Sequence, residues 1–468
     1  MMVPLAIALI YRENRAVIAF LISILFSIIP GFIVSRYFKE SIAEEKITFR
    51  DGYFIVTVAW ILSSLLGCFP YLFSGVSGGF FNAYFESASG FTTTGATIFP
   101  HVEDLPRSIL MWRSLTQWLG GMGMIVLFFA ILPKFGASAN TISSSEAPGV
   151  FQRKLTSKYK NTAQLFYIFY IAFTLVLTVL LLFGGMPFFD AINHALTTLA
   201  TGGFSTRTGG IGYFNNTYFY FVIGIFGFIA ATNFTLFYDA IRGNIKSLLK
   251  DEEFRAFLII VCISSILITI ALKVNNQASN ATSDIAAAFF QVINTISTLG
   301  VETGNSSWPP FCVIILVLLM ISGGCSSSTS GGIKISRITT LLKVVRREIK
   351  ERIHDSVVED VKFNGQRIQK QTMDYILSFV VLYLTIVMAA TLIICGFGGG
   401  EVMTNLLSVL SCISNLGPGM DSLGLVCEYH TQSVVCSITY VLVMIAGRLE
   451  LSTFLVVFSR HYWNTNRV

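Results

Sequence analysis

The chain has 468 residues, of which 53% are hydrophobic and only 12% charged, with a formal net charge of +6. Soluble domains run near 25% charged, so this balance excludes an ordinary soluble protein and removes length as a guide to domain number. The basic residues lie between apolar runs, so the positive excess is no sign of nucleic-acid binding. The eight cysteines lack the CxxC spacing of metal and redox sites.

Residues 1–11 are apolar but reach only about 16 Å as a helix. They read as a short or interfacial helix, or one lacking an N-terminal part, and no cleavable signal peptide is evident. Ala16–Phe38 is a full span, followed by Arg36, Lys39, Lys46 and Arg50, and Asp51–Phe73 is the next. The stretch FFNAYFESASGFTTTGAT, from Phe80 to Thr97, is too short for the roughly 20 apolar residues of a span. Thr and Gly are poor helix formers, so the chain leaves the helix here. Such backbone at membrane depth must be buried in protein or line a wet path. Its carbonyls can then replace the hydration shell of a small cation. The stretch reads as a re-entrant pore loop. Ser108–Leu132 returns, carrying Arg113, Gln117 and the run Trp118-Leu119-Gly120-Gly121-Met122-Gly123, and Lys134–Lys160 is a polar, basic loop.

The second unit reads as Asn161–Gly185, a pore segment Phe188–Phe204, and a return over Asn216–Ile241. The third reads as Phe254–Leu272, a pore segment Asp284–Val301, and Trp308–Ser322. That last helix covers about 22 Å, short of the roughly 30 Å core. The following SGGCSSSTSGG cannot continue it, and it lacks the Walker A spacing GxxxxGK[ST]. It is either a break inside the membrane or a surface linker. The basic stretch Lys334–Lys370 leads to Met373–Phe397, a pore segment Glu401–Pro418 and a last span over Ser433–Phe458.

These units form an internal repeat of roughly 100 residues, aligned on Gly95, Gly203, Gly300 and Gly417. Two residues before each glycine stand Thr93, Thr201, Thr298 and Asn415. Nine before stand Glu86, His194, Gln291 and Ser408, each polar within an apolar run. Glu86 and His194 read as braces for the loops rather than ion contacts. Arg113 and Gln117, four apart on one helix face, are positioned to anchor one. Each pore helix would point its negative C-terminal end inward, favouring a cation.

The loops at 36–50, 134–160, 242–255, 334–370 and 460–468 hold nearly all Lys and Arg, so the positive-inside rule makes them cytoplasmic and lets the pore loops enter from outside. The opposite loops carry Glu103, Asp104, Asp284, Glu302, Glu401, Asp421 and Glu428, a weakly acidic mouth. Most cysteines read as lipid-buried thiols, with Cys427 and Cys436 left open as a pair outside the membrane. Arg448 lies mid-span, where a charge is costly. Either it pairs with Glu450 or another buried carboxylate, or its guanidinium stands near a pore and repels cations.

Four span–loop–span units in one chain resemble a potassium channel with its subunits fused. The chain is similar in particular to the membrane subunit of the Trk/Ktr/HKT potassium-uptake family, Trk-type members above all. The residues that carry this are FESASGFTTTGAT at 85–97, QWLGGMG at 117–123, HALTTLATGGFST at 194–206, GGCSSSTSGGIK at 323–334, NLGPG at 415–419 and GRLE at 447–450. The resemblance covers almost all of 16–460. It implies an all-α polytopic membrane protein of four fused repeats around one pore, with an extra N-terminal helical pair at 1–50. The repeats fall at 51–134, 135–241, 242–352 (with a broken second helix) and 353–468. It implies a K+ filter of Thr93, Thr94, Gly95, Thr201, Gly202, Gly203, Thr298, Leu299, Gly300, Asn415, Leu416 and Gly417. The third turn, Ser297–Val301, departs from the family's threonine-rich run, which puts its carbonyl geometry in doubt. The resemblance also implies a gate of Gly323, Gly324, Cys325, Ser326, Ser327, Ser328, Thr329, Ser330, Gly331 and Gly332 together with Arg448.

The function so implied is potassium uptake through a gated pore in the plasma membrane, with K+ as cargo and no covalently bound cofactor. Its partners would be the lipid bilayer, a second copy in a homodimer and a cytoplasmic nucleotide-binding regulatory ring, docked by basic loops such as Lys334–Lys370. An ion-coupled K+ symporter and the K+-binding subunit of an ATP-driven pump stand as alternatives, the latter needing a further subunit because this chain has no nucleotide motif. An enzyme is disfavoured, since the five histidines form no HExxH pattern.

Overall fold

The computed structural model describes residues 1–37, 49–123, 159–241, 243–275, 281–303, 308–354, 360–417, 429, 432–449 and 451–463. An N-terminal pair, α1 (Met2–Ile10) and α2 (Asn14–Tyr37), precedes four helical units. The first unit holds α3 (Phe49–Gly67), α4 (Phe69–Ser74), α5 (Phe80–Phe91) and α6 (Arg107–Gly121). In the second are α7 (Tyr159–Phe183), α8 (Phe188–Leu199), α9 (Thr217–Ala231), α10 (Phe234–Ile241) and α11 (Ile245–Lys250). The third comprises α12 (Glu252–Val274), α13 (Ala281–Ile296), α14 (Pro310–Ser322) and α15 (Ile335–Ile353). A hairpin, β1 (Lys362–Phe363) paired antiparallel with β2 (Gln366–Arg367), leads into the fourth. That unit holds α16 (Lys370–Gly398), α17 (Val402–Ser414), α18 (Val434–Arg448), α19 (Ser452–Phe458) and α20 (Arg460–Trp463).

Among the described residues, five candidate spans are long and apolar enough to cross a membrane: Asn14–Tyr37, Asp51–Ser74, Leu165–Phe183, Glu252–Val274 and Lys370–Gly398. The sequence places helix starts well where caps exist. Asn216, Asp251 and Ser433 accept the first free amides of α9, α12 and α18. The N-terminal pair attaches through Glu13, whose carboxylate accepts the Arg107 amide at 2.8 Å and the Ser108 amide at 3.2 Å, capping α6.

The short helices α5, α8, α13 and α17 each pack on both flanking helices of their own unit. Each also packs on the second helix of another unit: α5 on α18, α8 on α6, α13 on α9, α17 on α14. The four units therefore close into a ring. Close approach needs small residues. A side chain at Gly120 of α6 would run into the carbonyl of Phe91, and one at Gly447 of α18 into that of Ile413.

Three spans read as continuous are interrupted. Asp51–Phe73 breaks at Cys68, where Pro70 removes a helical donor. Asn216–Ile241 ends at Ala231 and restarts at Phe234, the Asn233 side chain accepting the Thr235 amide and hydroxyl in place of the helix ladder. Ser433–Phe458 breaks between Arg448 and Ser452, with Leu451 at φ 35°. The return read over Ser108–Leu132 is helical to Gly121, and its part from 124 lies outside the described residues, as does Lys134–Lys160 up to residue 158. The four second helices α6, α9, α14 and α18 thus have 15, 15, 13 and 15 residues. Each spans only about 20–22 Å. Their C-terminal carbonyls stop short together, and the candidate gate lies there.

Candidate functional site

Each of the four short helices ends in the same turn. Thr93, Thr201, Thr298 and Asn415 hold φ of 56°, 52°, 54° and 55°, and two residues on Gly95, Gly203, Gly300 and Gly417 hold 81°, 78°, 68° and 70°. The amides of Thr94, Gly202, Leu299 and Leu416 each reach the carbonyl five residues back at 2.9 Å, closing a Schellman cap. The departure at Ser297–Val301 does not alter this backbone, because the cap is made by main-chain groups. A left-handed conformation costs a non-glycine residue roughly 1–2 kcal/mol. Such strain persists only where the surroundings fix it, and it concentrates at ligand sites.

The turns converge. A Cβ on Gly203 would lie 2.5 Å from the carbonyl oxygen of Leu299 and 2.7 Å from that of Gly300, and one on Gly417 would run into the carbonyl of Thr94. Asn415 Nδ2 donates to Thr94 Oγ1 at 2.9 Å. Two buried oxygens here, Thr93 Oγ1 and Asn415 Oδ1, make no hydrogen bond among the described residues.

The shell behind the turns is polar and paired. Arg113 Nε meets Glu86 Oε1 at 2.7 Å, with both side chains at most 2% exposed. The same guanidinium donates to Thr97 Oγ1 and to the Ser205 carbonyl, while Glu86 Oε2 accepts the Ile98 amide at 3.0 Å. Gln117 takes the second turn from both sides, donating to Gly202 O at 2.6 Å and accepting from Phe204 N at 3.1 Å. His194 Nδ1 lies 2.8 Å from the Asp190 carbonyl, so Nδ1–H donates there and Nε2 accepts from Ser205 Oγ at 3.0 Å. Glu86 and His194 brace the post-turn strands, as read from the sequence. The third unit instead uses Asn294, whose amide group bonds both N and O of Val301. Ser408 bonds Tyr440 at 2.8 Å.

The break at Ser322–Gly332 is real: α14 ends at Ser322 and α15 starts at Ile335. The intervening loop is tucked among the ends of the second helices. The amides of Cys325 and Thr329 donate to the Ala231 and Ala230 carbonyls, which the end of α9 leaves free. Gly331 N donates to Thr298 Oγ1 at 2.8 Å, and a side chain at Gly331 would run into the Ser414 carbonyl. The loop thus touches the third and fourth turns directly. Ser326, Ser327, Ser328 and Ser330 complete its bend, with Ser328 Oγ bonded to Ser330 Oγ. Arg448, half-buried, donates to Thr329 O at 2.8 Å and to the carbonyls of Gly120 and Gly121 at 2.7 and 2.9 Å. It joins the loop to the negative end of α6. The alternative partner Glu450 lies outside the described residues, as does Cys427 of the candidate cysteine pair.

Two features escaped the sequence reading. The Thr232–Asn233 break supplies the acceptors that seat the loop, and its signal was a polar pair ending the run GIFGFIAA. Glu253 Oε1 accepts the amides of Ser326 at 2.6 Å and Ser336 at 3.1 Å. In the sequence it is one more acid in a helix's first turn.

Short helices closed into a ring by their neighbours, each ending in a strained turn, define an all-α polytopic membrane protein. The chain belongs to the TrkH family of cation transport proteins, whose pattern it matches over residues 16–465. It is 33% identical to the Trk system potassium uptake protein TrkH of Salmonella typhimurium over 99% of this chain and 95% of that protein, and equally to TrkG of Escherichia coli K12. The crystal structure of the potassium transporter TrkH from Vibrio parahaemolyticus superposes with a TM-score of 0.86 at 30% identity, covering 99% of this chain and 96% of that one.

Proposed function

We propose that the chain is a potassium-uptake pore, in which the four turns at Gly95, Gly203, Gly300 and Gly417 form one selectivity filter and the Gly323–Gly332 loop is the gate beneath it. The observation that carries this is the fourfold left-handed turn, identical in backbone and convergent in space. Carbonyls can replace the hydration shell of a cation where the backbone aims them at one point. The buried Glu86–Arg113 pair and the Gln117 clasp brace that backbone. Thr93 and Asn415 offer further oxygens. K+ is the cargo, as it is in the names of the relatives.

The ring enters from the outer face, with the basic stretches cytoplasmic. A second copy and a cytoplasmic nucleotide-binding ring are the proposed partners, α15 being the element that leads from the gate toward them. Coupled transport has less support, because Glu86 is held in an ion pair and Glu253 is bonded to the loop. The test uses the chain in liposomes with a K+ diffusion potential, no Na+ and a collapsed pH gradient. Steady ⁸⁶Rb+ uptake under those conditions is expected. Uptake that requires a Na+ or H+ gradient overturns the pore reading in favour of a carrier.

A further inference from the structure

Glu253 lies in the first turn of α12 and is 5% exposed. One of its oxygens, Oε1, receives two backbone amides, one from Ser326 within the candidate gate and one from Ser336 in the first turn of α15 that follows it. The two serines also bond each other through their hydroxyls at 2.5 Å. Hydrogen bonds to a carboxylate are about twice as strong as those between neutral groups. The loop's other amide ties, from Cys325, Thr329 and Gly331, go to neutral oxygens.

The start of α12 is itself fixed. Asp251 caps the Phe254 amide at 2.9 Å, Asn364 of the hairpin bonds Asp251 at 2.7 Å and the Glu252 amide at 2.8 Å, and Lys343 of α15 pairs with Glu252. Ser336 is the second residue of α15, so displacement of that helix is felt first at its bond to Glu253. Behind the carboxylate lies a cavity of about 770 Å³, lined by Asn233, Glu253, Ser326, the hairpin tip and the exposed Lys246 and Lys250. The carboxylate is therefore approachable from the side that carries the basic loops.

We infer that Glu253 is the latch of this loop: it pins Ser326 and Ser336 at once to a rigid helix, and drawing α15 away releases Ser336 and frees the loop to leave the four turns. This rests on the gate reading of the loop. It assigns Glu253 a positioning role, since the residue touches the loop and not the turns.

The test is labelling of Cys325, which is fully buried beside Ser326. The full chain in liposomes is exposed to a water-soluble maleimide, and each cysteine peptide is quantified by mass spectrometry. Glu253→Ala should label Cys325 at least tenfold faster than wild type. Glu253→Gln, which keeps the shape without the charge, should fall between. Cys68 and Cys312, buried elsewhere, should label at the wild-type rate in both. Cys325 labelling at the wild-type rate in either folded variant overturns the latch, and so does equal acceleration at Cys68 and Cys312, which would mean general loosening. ⁸⁶Rb+ flux is read in parallel and is expected to rise severalfold at unchanged K+/Na+ preference. Faster Cys325 labelling with unchanged flux would uphold the latch while overturning the gate reading. Should Glu253→Ala not fold, Glu253→Gln decides alone.

Discussion

Arg113 and Glu86 set the residue-scale logic. Their 2.7 Å pair is sealed from solvent, and Arg113 also reaches the strands that follow the first and second turns. Removing one partner leaves a buried charge, which costs about 3–5 kcal/mol. Glu86→Ala should lower the thermal midpoint of the purified protein more than the double variant Glu86→Gln/Arg113→Met does, because the double variant strands no charge. Equal losses would show that the pair contributes only packing. Arg448 is a different case. It presents its guanidinium to the loop carbonyl of Thr329 and to the end of α6. Arg448→Ala removes both a tie to the loop and a positive charge beside the proposed path, so flux should rise severalfold. A stable variant with flux below wild type would count against that barrier role. In the segment after the first turn, Glu103 accepts the Thr208 amide at 2.7 Å. Burial works to raise its pKa, but the Thr208 bonds and the neighbouring Arg207 outweigh this and hold it below its usual value. A depressed carboxylate stabilises the fold above its unfolded pKa and loses that contribution as pH falls through the folded one. The tie between the loops that follow the first and second turns should therefore weaken only in acid, below about pH 4. Glu103→Gln should flatten the acid limb of thermal stability, and an unchanged limb would contradict this.

At the scale of elements, the broken helices explain where the Gly323–Gly332 loop, the proposed gate, sits. Four second helices of 13 to 15 residues end short of the membrane's thickness. Their free carbonyls are the natural seats for a loop that has amides to satisfy. Deleting Ser326–Ser330 would remove the proposed obstruction while leaving the four turns untouched. Basal flux should rise severalfold and respond less to any cytoplasmic regulator, with selectivity largely kept. A folded deletion variant that matches wild type in both respects would show that the loop is no gate. The break after Ser322 was legible in the sequence because glycines and serines announce it. The breaks after Ala231 and Arg448 were not, since apolar residues resume on the far side and hydropathy reads straight through. Glu253 was illegible for a related reason: a first-turn acid looks like favourable helix-dipole charge, and only the fold brings Ser326 and Ser336 to it.

For the whole molecule, periodicity and glycine spacing carried the fourfold plan. The same pair of left-handed residues recurs in all four turns, including the third, whose side chains differ but whose backbone does not. Ring closure was beyond the sequence, because the packing of α18 on α5 joins residues more than 300 apart and leaves no local trace. The central claim is that these turns act as one filter. A Cβ at Gly203 would crowd the carbonyls of Leu299 and Gly300, so a substitution in one turn should disturb its neighbour. The most direct measurement is the K+/Na+ permeability ratio of Gly95→Ser and Gly203→Ser in liposomes, each compared with wild type at matched protein content. The account predicts a fall of tenfold or more in that ratio for both variants, with reconstituted protein levels much less affected. An unchanged ratio in both would contradict it.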